Sequence, residues 1–209
     1  MTGRASPRAG RTARVERATR ETRVVVELNL QGTGRARIHT GIGFFDHMLE
    51  LLAHHAVLDL TLEAAGDLHV DEHHTVEDVG LALGTALAQA LGDRRGIRRY
   101  GFLLPMDESL AQVALDLGGR PVLVFRASFE RERVGGLPTE LVEDFFKAVT
   151  DTLKASVHVI LHGGRNDHHK IEAIFKAFGR ALRMAIEDDP RLGDAVPSTK
   201  GVIDWYVDG

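Results

Sequence analysis

Two adjacent histidines, followed three residues on by a glutamate, occur twice in this chain, each time at the start of a long apolar-periodic stretch. The first copy is Asp71-Glu72-His73-His74-Thr75-Val76-Glu77-Asp78 and the second is Asn166-Asp167-His168-His169-Lys170-Ile171-Glu172-Ala173. Residues four apart share a helix face, so His73 stands with Glu77 and His168 with Glu172. The second histidine of each pair is turned by about 100° and serves a different centre. Imidazole nitrogen combined with carboxylate oxygen is a ligand set for Mn, Fe, Zn or Co.

The copies lie 95 residues apart (73 to 168), and the register continues downstream. Gly84, Ala86, Leu87 and Ala90 fall on Gly179, Ala181, Leu182 and Ala185. Glycine inside a helix costs about 1 kcal/mol relative to alanine, so its matched use argues for an internal duplication. The flanking stretches run in a similar order. Residues 24–30 are β-rich and lead through Gln31-Gly32-Thr33-Gly34 into 35–40, read as the second arm of a hairpin. Residues 44–52 start a short helix, 57–63 alternate as a half-buried strand, and the first motif helix ends near Gly92, a C-cap. In the second half, strands are expected over 102–106, 110–117 and 122–129, with turns at Asp107-Glu108 and Gly118-Gly119. A helix over 140–153, a strand over 156–161 and the second motif helix follow, the last stopped by Asp189-Pro190.

The expected fold class is α+β, an internally duplicated two-layer α/β sandwich with two four-stranded sheets, each backed by two helices. Residues 1–13 form a disordered arm, 14–98 the first repeat, 99–188 the second repeat and 189–209 a C-terminal tail. Arginines recur along the first segment, which reads as an anion-binding arm or as a solvated tail running into an edge strand. Glu16 and Glu21 interrupt the charge and favour the tail.

Eleven histidines and no cysteine place any metal chemistry on imidazole and carboxylate, and fit a cytoplasmic protein. A net charge of −4 gives no reason to expect nucleic acid as a partner, and no apolar run is long enough to span a membrane.

The repeat also assembles the ligands. His47 lies 26 residues before His73, and at the matching place, 24 before His168, stands Asp144. One centre then comprises His47, His74, His168 and Glu172, and the other Asp144, His169, His73 and Glu77. Four protein ligands leave up to two positions open on an octahedral ion, enough for a small chelating substrate. Spacing leaves open which ligands come from a neighbouring subunit. His54 and His55 lie beyond His47 as substrate contacts or helix caps, and His158 and His162 read as exposed strand residues.

Gly43-Phe44-Phe45-Asp46-His47-Met48-Leu49, the two histidine motifs, Met106-Asp107-Glu108 and Pro197-Ser198-Thr199-Lys200-Gly201 together resemble the imidazoleglycerol-phosphate dehydratase family, from about residue 14 to 203. The resemblance implies a fold like the second domain of ribosomal protein S5, two Mn2+ per active site, and a homo-oligomer of 24 subunits whose trimers close active sites between subunits. It implies His47, His74, His168 and Glu172 at one Mn and His73, Glu77 and His169 at the other, the pairing already reached from the repeat. Position 144 is usually histidine in that family, so Asp144 departs from it. Aspartate is a harder donor that suits Mn, but a shorter one.

The implied reaction is dehydration of D-erythro-imidazole glycerol phosphate to imidazole acetol phosphate and water, in histidine biosynthesis. Two metals on the ring nitrogens hold the substrate as imidazolate, and hydroxyl loss runs through a diazafulvene-like intermediate. Acid and base are needed at adjacent carbons, and Glu21 with Glu77 or Glu172 are the candidates. His47, His55, His73 and His168 are implied at the substrate, as are Arg99, Arg120, Lys176, Ser198, Thr199 and Lys200, cations and hydroxyls of the kind its phosphate needs. A binuclear hydrolase would use the same ligands without needing a cluster shaped for imidazole and phosphate together. A metal-storage or scaffold protein leaves the Ser198-Thr199-Lys200 tail unexplained.

Overall fold

The computed structural model describes residues 10–203, with the side chains of residues 103 and 104 left aside. In chain order the elements are β1 (Thr12–Ala18), β2 (Thr22–Asn29), β3 (Ala36–His39), α1 (Gly43–Ala56), β4 (Asp59–Gly66), α2 (His73–Leu91), β5 (Tyr100–Met106), β6 (Ser109–Asp116), β7 (Val122–Arg126), β8 (Arg133–Val134), β9 (Leu137–Pro138), α3 (Leu141–Leu153), β10 (Ser156–Gly163) and α4 (Asp167–Ile186). The fold is α+β, with mixed sheets and, among the described residues, four helices. Of the expected arm, residues 1–9 lie outside the described residues, and Thr12 and Ala13 already belong to β1, an edge strand. Residues 204–209 of the expected tail also lie outside them.

Alternation decides the centre of each sheet. Val24, Val26 and Leu28 share one face of β2 and are buried, while both of its edges are hydrogen-bonded, to β1 and to β4, in antiparallel ladders. No edge is therefore left for a returning hairpin arm. β3, expected to pair with β2, instead runs parallel to β4 on its far side. Asp59, at the start of β4, draws the connection across: its carboxylate accepts the N–H of Thr33 at 2.8 Å and of Arg35 at 3.1 Å, and pairs with the Arg35 guanidinium at 3.0 Å.

The sheet orders are β1-β2-β4-β3 and β5-β6-β10-β7. In both, the first three strands are antiparallel neighbours and the fourth is parallel to the third. β7 stops at Arg126, short of the expected 129. A small β8–β9 hairpin was not expected. Its two-residue loop, Gly135-Gly136, has Gly135 at φ 57°, the positive value that the first central position of a type II′ turn requires. α1 runs on to Ala56 because Phe45, Met48, Leu49, Leu52, Ala53 and Ala56 continue one buried stripe.

α2 lies on β1 and β2, α1 on β3, α4 on β5 and β6, and α3 on β7. The four helices meet between the sheets, α1 against α4 and α2 against α3. Phe45 of α1, Phe145 and Phe146 of α3, and Phe175 and Phe178 of α4 fill the middle, fully buried. Phe145 stacks on Phe175 at 5.2 Å and meets Phe45 edge-on at 5.3 Å, geometries that add about 0.5–1.5 kcal/mol each beyond burial.

The matched glycines sit at these two crossings. A Cβ on Gly84 would lie 2.6 Å from the Val149 carbonyl oxygen of α3, and one on Gly179 would lie 2.7 Å from the Leu52 carbonyl oxygen of α1. Both obstacles are backbone and cannot swing aside. Gly179→Ala gains about 1 kcal/mol in helix propensity but incurs roughly 1–3 kcal/mol of overpacking, with helix displacement added. Thermal melts of Gly84→Ala and Gly179→Ala should show lowered midpoints, and a raised midpoint for either would contradict this account of the crossings.

Candidate active site

The first turns of α2 and α4 are built alike. Asp71 Oδ1 accepts the N–H of His73 at 2.9 Å, and Asn166 Oδ1 accepts the N–H of His168 at 3.0 Å, so each motif begins on a side-chain cap two residues earlier. α4 is fixed further by the buried pair Asp167–Lys170 at 2.8 Å. Burial pushes the Asp167 carboxyl up, but Lys170 and the N–H groups of Arg131 and Glu130 outweigh it and hold the carboxyl below its usual range.

Packing of α1 on α4 brings His47, His168 and Glu172 together. Each offers a donor atom within 4.8 Å of the others, and His168 Nε2 lies 3.4 Å from Glu172 Oε2. The Phe44 ring meets His168 edge-on at 5.0 Å. Glu172 is buried and its other oxygen is 2.5 Å from Lys176 Nζ. His55 is held below the ordinary imidazole value, first by burial and then by the charge of Lys176. His55 and Lys176, both expected at the substrate, are therefore neighbours of the Glu172 group.

On the other side, His73 Nδ1 is 4.0 Å from Asp144 Oδ2, with both side chains about half exposed. Glu77 is exposed one turn along α2, and among the described residues it does not close a three-donor group with them. A cavity of about 580 Å³ beside His73 is lined by Glu72, Arg131 and Arg133, and Arg133 grips Glu72 with two bonds of 2.8 Å.

His74 and His169 go elsewhere. His74 Nδ1 is 3.0 Å from Asp67 Oδ2 and 3.9 Å from Glu21 Oε2. His169 Nδ1 is 2.8 Å from Glu108 Oε2, and its Nε2 is 3.9 Å from Asp107 Oδ2. Within one chain, then, His74 does not join the His47 group and His169 does not join His73 and Asp144, because adjacent helix positions face directions about 100° apart. The hydrogen bond that His74 donates to Asp67 raises its pKa, and the one that His169 donates to Glu108 raises that ring's. Glu108 itself is lowered to about 2, first by His169 and then by the N–H of Asn166.

Glu21 reaches His74 from the tip of the β1–β2 hairpin. Thr19 Oγ1 accepts the N–H of Glu21 at 3.1 Å and of Thr22 at 3.0 Å, which closes the tip. Below it, buried Asp78 of α2 accepts from Arg17 Nε at 2.6 Å and from the Thr22 hydroxyl. Asp67, Asp78, Asp107 and Glu108 were not expected as parts of the site. A positional signal existed for Glu108, which stands just before β6 as Glu21 stands just before β2.

Arg99, Arg120, Ser198, Thr199 and Lys200 line a second cavity, of about 540 Å³. Arg99 is held by Asp116 at 2.5 and 2.9 Å and donates to the Pro197 carbonyl at 2.9 Å, which pins the tail onto the second sheet. None of the histidine donors lines this cavity. The lining gathers cations and hydroxyls, the donor types that a phosphate takes.

The family model described as imidazoleglycerol-phosphate dehydratase matches residues 40–182. An imidazoleglycerol-phosphate dehydratase from Hydrogenovibrio crunogenus is 52% identical over 194 residues, covering 92% of this chain and 100% of that protein. A histidine biosynthesis bifunctional protein from Spirosoma linguale is 58% identical over 92% of this chain, which spans 50% of that protein's length. The crystal structure of imidazoleglycerol-phosphate dehydratase from Staphylococcus aureus superposes with a TM-score of 0.77 at 41% identity, covering 85% of this chain and 99% of that one.

The His47, His168 and Glu172 group makes a direct prediction. His168→Ala should weaken Mn2+ uptake by chelated protein by more than the roughly 10–100-fold that losing an outer hydrogen-bond partner costs. Metal analysis after gel filtration measures this, and unchanged uptake would remove His168 from the centre.

Proposed function

This chain belongs to the imidazoleglycerol-phosphate dehydratase family of hydro-lyases, and from that membership we propose that it converts D-erythro-imidazole glycerol phosphate to imidazole acetol phosphate and water at two Mn2+ ions. The carrying observation is the convergence of His47, His168 and Glu172 from two packed helices, with donors within 4.8 Å. Two nitrogens and one oxygen with positions to spare suit Mn2+. His74 would complete this centre, and His73, Glu77, Asp144 and His169 would hold the second ion. Because His74 and His169 face away from these groups within one chain, a neighbouring copy would supply them. This supports a homo-oligomer, with 24 subunits built from trimers as the proposed assembly. When bound, the two ions would act as Lewis acids on the substrate's ring nitrogens and hold the ring as imidazolate.

The protein's own groups do the rest. In the product the ring-adjacent carbon is a methylene and the next carbon a ketone. The hydroxyl therefore leaves the ring-adjacent carbon with its bonding pair and departs as water once protonated. The C–H bond at the next carbon breaks, and the resulting enol tautomerises. Glu21, exposed at the hairpin tip and 3.9 Å from His74, would move a proton at one carbon, and Glu77 or Glu172 at the other. Arg99, Arg120, Ser198, Thr199 and Lys200 would bind the phosphate, while His55 and Lys176 would flank the substrate next to Glu172.

The common strand order of the two sheets and the matched Gly84 and Gly179 support an internal duplication, 14–98 and 99–188, of a unit like the second domain of ribosomal protein S5, with 189–209 as the substrate-binding tail. A cytoplasmic biosynthetic role fits a chain in which no described helix is long and apolar enough to cross a membrane. A net charge of −4 gives no reason to expect nucleic acid as a partner.

Ketone formation from imidazole glycerol phosphate should vanish on complete chelation and return with Mn2+. Glu21→Gln should abolish turnover while keeping metal content and assembly. Activity surviving metal removal rejects the metal reading, and an active Glu21→Gln rejects the carboxylate's role.

A further inference from the structure

His74 and His169 are the two histidines of the expected donor set that one chain leaves outside the groups around His47 and His73, and both rings are gripped in the same manner. Nδ1 of His74 faces Asp67 Oδ2 at 3.0 Å, and Nδ1 of His169 faces Glu108 Oε2 at 2.8 Å. An ionised carboxylate can only accept, so Nδ1 carries the proton in each ring, and a neutral ring then has its lone pair on Nε2. For His169 the nearest acid to Nε2 is Asp107 at 3.9 Å, too long for a hydrogen bond.

The two carboxylates reach their rings from unrelated places in the fold. Asp67 follows the last residue of β4, and the corresponding residue after β10 is Gly164. Glu108 lies in the β5–β6 turn, and its counterpart at the β1–β2 tip, Glu21, is 3.9 Å from His74. A contact carried along passively by duplication would use the same position twice. Here the same Nδ1 contact is made twice from different positions. Hydrogen bonding of this kind fixes which nitrogen of a metal-bound histidine is free and which way the ring points.

We propose that Asp67 and Glu108 are positioning residues that hold His74 and His169 as Nδ1–H tautomers, so that Nε2 is the atom each ring presents to a metal centre. This rests on the reading of His74 and His169 as metal ligands. Glu108 also ties down the loop before α4, because its other oxygen accepts the N–H of Asn166 at 3.0 Å and of Arg165 at 3.2 Å. The Asp67 side chain contacts His74 and, among the described residues, braces no loop in this way. It therefore gives the cleaner test.

Mn2+ alone is titrated calorimetrically into the full-length protein after chelation, with melting temperature and gel filtration followed in parallel. Asp67→Ala and Glu108→Ala should each weaken Mn2+ binding by about 10–100-fold. Asp67→Asn, which still offers an oxygen to the Nδ1–H, should recover most of the loss at an unchanged melting temperature. In a His169→Ala background, Glu108→Ala should add nothing, since its effect passes through that ring. If Glu108→Ala loosens the loop before α4, Glu108→Gln, which keeps an oxygen for the Nδ1–H, should restore Mn2+ binding as Asp67→Asn does, and Asp67→Ala then carries the test of the loss. Alanine variants that bind Mn2+ like the wild type overturn the proposal, as does a further loss in the His169→Ala background. Wild-type protein that takes up no Mn2+ overturns the metal reading beneath it, a failure visible before any substitution is made.

Discussion

Where α1 meets α4 and α2 meets α3, the backbones come too close for any side chain to lie between them. Gly179 faces the Leu52 carbonyl and Gly84 faces the Val149 carbonyl, each at a distance that a Cβ could not tolerate. These two contacts set the spacing of the four-helix layer, and with it the distance from His47 on one helix to His168 and Glu172 on another. Interiors packed this tightly respond to added volume by shifting whole elements rather than by local give. The geometry of the donor groups is thus a property of helix packing, and the loops add the orienting carboxylates.

Each motif faces two ways because its histidines are adjacent on a helix. One histidine of each pair turns toward a partner helix, His168 toward α1 and His73 toward α3. The other turns to carboxylates from strand ends and turns. Among the described residues, a single chain therefore gathers two three-donor groups, His47 with His168 and Glu172 and His169 with Asp107 and Glu108, beside the pair of His73 and Asp144 and the His74 ring on Asp67. The cavity lined by Arg99 and the tail has none of these donors in its lining.

Much of this was legible in the residues alone. Helical spacing placed His73 with Glu77 and His168 with Glu172, and the second pair is 3.4 Å apart. The repeat identified His47 as a contributor to the His168 group and paired Gly84 with Gly179. The partner of β3 was not legible, since hairpin signals are local and the choice was made by Asp59, more than twenty residues downstream. The contact of Glu108 was not legible for a related reason, although Met106-Asp107-Glu108 is one of the motifs that carry the resemblance. As a turn residue it looks like ordinary solvated charge, and only the folded hairpin shows that its carboxylate reaches a ring on α4. Asp78 sat in plain view inside the first motif, but its function depends on Arg17 and Thr22, which sequence distance keeps apart.

The clasp between Asp78 and the β1–β2 hairpin carries a mechanical consequence. Asp78 lies on the same helix as His74, one turn along, and through Arg17 and Thr22 it holds the hairpin whose tip bears Glu21. Helix and hairpin are riveted at a buried point, so a small tilt of α2 carries the ring and the carboxylate in the same direction. Motions that would disturb other separations in the molecule largely cancel in this one. Glu21 stands at an exposed strand tip, the kind of place where a side chain ordinarily wanders, yet it inherits the positional tolerance of a core helix.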